Sequence, residues 1–300
     1  MKKLFFLSLA LLFTAPMLLG QTKMNNNDSN HKANQLLSDP LLGNYTINST
    51  QSTGGNNFNN FSDFASAINI NGLSGPVVVE VVAGTGPYNE QVILGELPNS
   101  SETNTLTIKG NGQALTYLST TNDQRATLKM DGTDYVNIDN LTIAALGAED
   151  GEYGFAVQLM NGADHNTFTN CIFIANATAL ISNFGAFIAS NSPTSASAEG
   201  VAANYLTIDQ CATIGGYYGM VIQGPTVASG ETPAMNNVIT NNEVIDPRYY
   251  GIYFGGQNNG LVSGNEISRP ERDNMAIFRG IYLVSCPGYE RFGDHKKPRV

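Results

Sequence analysis

The sequence predicts an all-β solenoid, one chain wound into coils whose strands stack in parallel. Three observations predict it. A short segment recurs as Gly154-Phe155-Ala156-Val157, Gly185-Ala186-Phe187-Ile188, Gly219-Met220-Val221-Ile222, Gly251-Ile252-Tyr253-Phe254 and Gly280-Ile281-Tyr282-Leu283. The copies start about 30 residues apart, a repeat-architecture interval. In each, the second and fourth residues are apolar and the third varies, the period of a strand with one buried face. A second pattern alternates with the first: apolar, two residues, a ladder residue, one residue, apolar. It covers Ile138 to Ile143, Phe168 to Phe173, Ile208 to Thr213, Ile239 to Val244 and Val262 to Ile267, with ladder residues Leu141, Cys171, Cys211, Asn242 and Asn265. Finally, 31 glycines and no tryptophan suit a turn-rich β chain better than a helical one.

These patterns imply two unlike strands per coil. The spacing between ladder residues varies while the patterns hold, so loops change length and strands do not. The turn from Gly251 to Arg279 has no room for a helix hairpin. Phe155, Ala186, Met220, Ile252 and Ile281 are expected to stack inward. Ala156, Phe187, Val221, Tyr253 and Tyr282 are expected outward.

Taken in order, Lys2 and Lys3 precede an apolar run from Leu4 to Phe13, small residues lie near Ala15 and Gly20, and the chain turns polar at Gln21. Residues 1–20 therefore read as a secretory signal peptide, the run being short for a bilayer span. Residues 21–44, rich in Asn, Asp and Ser, read as a disordered leader. Residues 45–75 read as an N-terminal cap. There Phe58, Phe61, Phe64, Ala65 and Ile68 recur at helical spacing, and Ser62 is placed to start a short helix ending near Ile70. A cap is needed because an open solenoid end exposes strand edges and apolar surface. Residues 76–285 read as the solenoid. Two long loops, Asn183 to Ala203 and Pro225 to Met235, leave equivalent junctions and should lie on one side. Residues 286–300 read as an irregular, truncated C-terminus, with Glu290 to His295 a poor fit to the ladder pattern.

Gly251-Ile252-Tyr253-Phe254, followed by Val262, Asn265 and Ile267, resembles the repeat of right-handed parallel β-helix proteins such as pectate lyases, pectin methylesterases and polygalacturonases. Val77 to Val82, the turn Ala83 to Tyr88, Gln91 to Leu94 and Leu106 to Gly110 resemble the opening of pectin methylesterase-type helices. The resemblance implies a right-handed single-stranded parallel β-helix with a short N-terminal capping helix. It implies little about activity, because one fold carries many functions.

Composition narrows the partners. The net charge is −10 with 13 % charged residues, which disfavours a nucleic-acid partner. No later stretch is apolar enough to span a membrane, so a secreted or cell-surface location is expected, with polysaccharide or cell-surface glycan as partner. The cysteines Cys171, Cys211 and Cys286 are odd in number and match no zinc spacing, so buried thiols are expected.

Candidate chemistry is sparse. The resembling enzymes use Asp, Arg, Lys or Gln on an outward sheet face, often with calcium. Here that face offers Gln158, Gln223 and one charged pair, Lys129 and Asp131. On the ladder strands, Asp139 and Asp209 flank Thr169 two coils apart. Tyr217, Tyr218, Tyr249, Tyr250, Phe278 and Arg279 flank the glycines, at most half of them exposed by strand alternation, and Tyr217, Tyr249, Tyr253 and Tyr282 are expected as the aromatic stripe suited to carbohydrate. Glu243 and Glu266 follow ladder asparagines in neighbouring coils, about 5 Å apart. They are the one pair suited to Ca²⁺, although two splayed, solvated glutamates are the simpler expectation. No catalytic residue and no other cofactor is assigned. The sequence favours an exported non-catalytic surface, adhesive or carbohydrate-binding module, with a fragment of a larger secreted protein as a further reading. The alternative is a polysaccharide-active lyase or esterase.

Overall fold

A computed structural model describes residues 39–226, 229–272 and 277–286. The expected signal peptide, most of the leader and residues 287–300 lie outside them.

The chain is a parallel β-helix with three sheets. The first has nine strands, running from Leu41–Ile47 through Leu73–Val81, Leu106–Lys109, Val136–Asp139, Thr167–Thr169, Thr207–Asp209 and Val238–Thr240 to Leu261–Ser263, with Asn57–Phe58 beyond Leu41–Ile47. The second has seven: Tyr88–Asn89, Ala114–Tyr117, Thr142–Ala145, Ile172–Ile174, Ala212–Ile214, Glu243–Ile245 and Glu266–Ser268. The third, the glycine sheet, also has seven: Val92–Leu94, Ala126–Asp131, Gly154–Met160, Phe184–Ala189, Tyr218–Gln223, Tyr250–Gly255 and Arg279–Val284. All neighbouring strands within these sheets pair in parallel.

A coil thus holds three strands rather than the expected two. What reads as one ladder strand is two short strands in different sheets. The chain bends between them at Asn140, Asn170, Gln210, Asn241 and Gly264, which take φ of +51°, +53°, +54°, +55° and +68°. Asparagine and glycine tolerate this left-handed conformation. The ladder residue follows the bend and points inward. Asn242 accepts a hydrogen bond from Cys211 N–H (2.9 Å) and donates to Ile208 O (2.9 Å). Asn265 Oδ1 accepts from Asn242 N–H and Nδ2 in turn (3.0 and 2.9 Å). One rung lower in the ladder, Cys171 N–H approaches Cys211 Sγ at 3.4 Å, and both thiols are free and buried.

The glycine sheet corrects the expected register. Met220, Ile252 and Ile281 do stack, but they stand on Phe187 and Val157. Gly185 pairs with Tyr218, and Gly154 with Phe184. The position of Gly219, Gly251 and Gly280 is therefore filled by Ala156 and Ala186 in the earlier coils. The small residue is needed at a corner. A Cβ on Gly219 would lie 2.6 Å from Gly251 O and Val244 Cγ1, and one on Gly251 would lie 2.4 Å from Gly280 O. Phe187 is consequently a core residue, its ring 5.1 Å from Phe168 and 5.2 Å from Phe173. Phe155 faces outward, in a smaller cluster with Ile188, Val221 and Ala196.

At the N-terminal end the helix Phe61–Asn71 lays Phe61, Phe64, Ala65 and Ile68 on the core. Its N-cap is Asn60, not Ser62; Asn60 Oδ1 accepts from Asp63 N–H at 2.7 Å. The carboxylate of Glu90 accepts from the N–H groups of Phe61 (3.0 Å) and Ser62 (2.8 Å). A negative group there also suits the positive end of the helix dipole. Leu41–Ile47 pairs with Leu73–Val81, so regular structure begins inside the segment expected to be a leader.

Candidate functional site

The outer face of the glycine sheet concentrates the chemistry. Its central row runs Ile93, Lys129, Gln158, Ile188, Val221, Tyr253, Tyr282. The row divides into three stretches.

The first is polar. Lys129 Nζ lies 2.8 Å from Asp131 Oδ2, and Asn161 Nδ2 donates to Asp131 Oδ1 at 2.6 Å. Partial burial pulls the Asp131 carboxyl upward. The hydrogen bonds from Lys129 and Asn161, with the charge of Lys129, outweigh it and hold the group below its ordinary range. The middle stretch is covered. Gln158 Nε2 donates to Ser192 O at 2.6 Å, and the loop brings Ala196 down on Phe155, Ile188 and Val221. Both long loops leave the glycine sheet toward the first sheet, and Thr226 Oγ1 donates to the Glu199 carboxylate (2.9 Å to Oε1), so they meet as expected.

The third stretch is aromatic. Tyr253 and Tyr282 are in register, with ring centroids 5.8 Å apart. Tyr217 and Tyr249 occupy the adjoining corner at 5.4 Å. The four expected residues are thus brought together, and they are joined by Tyr218 and Tyr250. Tyr250 is stacked on Tyr282 at 5.4 Å and 3°, and on Tyr218 at 5.9 Å and 13°. All six rings are half-buried. Arg279 completes the cluster. Its carbon Cζ lies 5.6, 5.6 and 4.8 Å from the ring centroids of Tyr249, Tyr250 and Tyr282, and Nη1 donates to Tyr249 Oη at 2.9 Å. Arg248 lies over Tyr217 at 5.9 Å. Burial, followed by the neighbouring phenols, pushes the Tyr218 and Tyr253 hydroxyls up to about 12. Hydrogen bonds from Tyr250 and Arg279 pull Tyr249 the other way. The face therefore presents neutral phenols and a fixed cation at neutral pH.

Doublets signal the missed pair: Tyr217-Tyr218 and Tyr249-Tyr250 each precede a corner glycine. Strand alternation puts half of such residues inward, but the corner turns both rings of each doublet out.

Other expected groups are placed elsewhere. Glu243 and Glu266 pair in register on the exposed face of the second sheet. Among the described residues no group of three or more His, Cys, Asp or Glu could hold a metal ion. A calcium site there rests on two carboxylates. Asp139 and Asp209 lie on the outer first sheet with Thr169 between them. Asp139 accepts from Thr169 and Asn170 (3.1 and 2.8 Å), and Asp209 from Thr240 and Asn241 (2.7 and 2.9 Å). Hydrogen bonds from Gln210, Thr240 and Asn241 hold Asp209 below its ordinary range, which unsuits it as a general acid at neutral pH. His165, at a left-handed turn position, is stacked between Tyr135 and Tyr205 at 4.6 and 4.4 Å. No helix among the described residues is long and apolar enough to cross a membrane.

No protein-family model matches the sequence, and no curated protein is similar to it. Solved structures are similar in fold. One is the pectate lyase Pel9A, at 11 % identity and a TM-score of 0.49, with 83 % of this chain and 64 % of that enzyme covered. Another is the pectin methylesterase from Aspergillus niger, at 13 % and 0.38, with 84 % and 89 % covered. A third is an alginate lyase from Paenibacillus sp., at 14 % and 0.31, with 81 % and 99 % covered. The chain spans less than two thirds of the pectate lyase's length. By name all three are enzymes. At these identities the likeness concerns the fold alone, that of a parallel β-helix.

Proposed function

We propose that this is an exported β-helix that binds polysaccharide or cell-surface glycan along the outer face of its glycine sheet. The observation that carries the reading is the tyrosine cluster fixed around Arg279. Tyrosines packed against one another lose little freedom on binding, so contact costs little ordering. A guanidinium matches a carboxylate in shape and charge, which favours uronate-bearing chains over neutral ones on this face. The signal-like N-terminus supports export. The test is a glycan array that includes polygalacturonate and alginate. The wild type should bind a uronate polymer, and a Tyr250→Ala, Arg279→Ala variant should lose at least tenfold in affinity. Equal binding by both proteins would refute the reading.

A second reading, a polysaccharide-active lyase or esterase, is favoured by Lys129, Asp131 and Asn161 on the same face. Asp131 is held ionised and suits a nucleophile or base. Burial, with Asp164 and Glu96 nearby, pushes Asp134 in the following turn the other way, and groups shifted apart in this sense can divide acid and base roles. Lys129 fits poorly as a base, because its Nζ is already engaged by Asp131 Oδ2 at 2.8 Å. Release of methanol or unsaturated sugar from pectin or alginate, abolished by Asp131→Asn, would establish this reading.

A further inference from the structure

A cavity of about 670 Å³ opens on the outer face of the first sheet at the N-terminal end. It lies in the size range of small-molecule sites. Val78, Glu80 and Lys109 belong to strands of that sheet, Asn57 to its edge strand Asn57–Phe58, and Gln51, Gly54 and Asn56 come from the loop before it. The loop is tied down before any ligand arrives. Thr46 Oγ1 donates to Asn57 Oδ1 (2.7 Å), Asn57 Nδ2 donates to Ser52 O (3.2 Å), and Asn56 Nδ2 donates to Asn44 O (3.0 Å). The cavity lies at least three coils from the tyrosine cluster, about 15 Å along the axis at the spacing of stacked strands.

The lining is rich in amides and carries no net charge. Lys109 Nζ and Glu80 Oε1 form an ion pair at 3.3 Å, so the one cation and the one anion cancel. Among the described residues the side-chain amides of Asn44 and Gln51 make no hydrogen bond to the protein. Each amide offers donors and an acceptor together. Vicinal hydroxyls of a sugar ring present the same combination. A phosphate or uronate would instead need a cation beyond the paired Lys109.

We propose that this cavity is a second saccharide site that takes a neutral sugar residue, with Asn44 and Gln51 as its hydrogen-bonding residues. It is distinct from the tyrosine face, which suits charged chains. Calorimetric titration of the whole protein with cellohexaose, xylohexaose and mannohexaose tests it, with hexagalacturonate as the charged control. At least one neutral hexasaccharide should bind saturably. An Asn44→Ala, Gln51→Ala variant should weaken that binding at least tenfold, and Gln51→Ala alone, on the surface loop, should weaken it in the same direction. The Tyr250→Ala, Arg279→Ala variant should leave it unchanged. Absence of binding by all three sugars overturns the proposal. So does neutral-sugar binding that survives the cavity substitutions or is lost with the tyrosine-face ones. Failure of the wild type to bind hexagalacturonate while it binds a neutral hexasaccharide would count against the tyrosine face and not against the cavity.

Discussion

The two ends of the described solenoid carry the same kinds of side chain in opposite circumstances. At the N-terminal end Leu41, Ile47, Phe64, Ile68 and Leu73 are fully buried, covered by the helix and the strand Asn57–Phe58. At the other end Ile281 and Leu283 are 46 % and 37 % exposed, although Ile252 and Phe254, their partners one coil earlier, are wholly buried. Residue type and register do not account for the difference. Among the described residues, a further layer covers the first of these ends and none covers the second. In a stacked repeat each rung is buried by its neighbours, so stability is a sum over adjacent layers rather than a property of one shared core.

Substitution at the two ends should give unequal effects. Phe64→Ala should cost about 3–5 kcal/mol, because it removes a buried ring and leaves a cavity. Leu283→Ala should cost less than about 1 kcal/mol, as at exposed sites generally. Urea denaturation measures both, and equal losses would break the comparison. The asparagine ladder offers a finer version. Asn242→Ala leaves the Cys211 N–H buried without its acceptor, and a decrease of about 1–3 kcal/mol is expected. Asn265→Ala, where the asparagine is half-buried, should fall nearer the lower bound. The smallest effect lies between the ends, at Asp131. Its folded pKa is depressed, so its contribution to stability is present above the unfolded value of about 3.9 and is lost as pH falls through the folded value. Lys129→Met removes a cause of that depression. Thermal melts should show the variant less stable than the wild type at neutral pH and losing less stability than the wild type as the pH falls through the acid range.

Much of the fold was legible because the corner constraints recur. Gly219 and Gly251 mark one corner where a Cβ would strike the next coil, and the ladder residues mark another. The third strand was hidden because its boundary is a single left-handed residue. Asn140, Asn170 and Gln210 look like ordinary outward polar positions of one continuous strand. The glycine-sheet register slipped for a different reason. The loop carrying Ala196 covers part of the outer face, so Phe155, Ile188 and Val221 are apolar on the side expected to be polar. With apolar residues on both faces, Gly154 and Gly185 drew the alignment away from the true small positions, Ala156 and Ala186. At the candidate site, composition pointed to tyrosines, but only the corner geometry brings Tyr218, Tyr250 and Arg279 among them. The amide-lined cavity left no pattern in the sequence, since its residues come from separate coils and a loop.

The corners also differ in how much variety they admit. Between first and second sheets the connection in the later coils is one dipeptide: Asn140–Leu141, Asn170–Cys171, Gln210–Cys211, Asn241–Asn242 or Gly264–Asn265. The backbone N–H groups of Asn140, Asn170, Gln210 and Asn241 each donate to a carbonyl of the next coil, so an added residue would shift every rung behind it. Between the glycine sheet and the first sheet the connection runs from the short turn at Gly132 to the excursion spanning Ser190 to Leu206. The molecule is therefore a frame with one invariant seam and one permissive margin. Peptides grafted at Ser197 and at Gly230 would be displayed side by side on that margin, their spacing governed by the coil repeat.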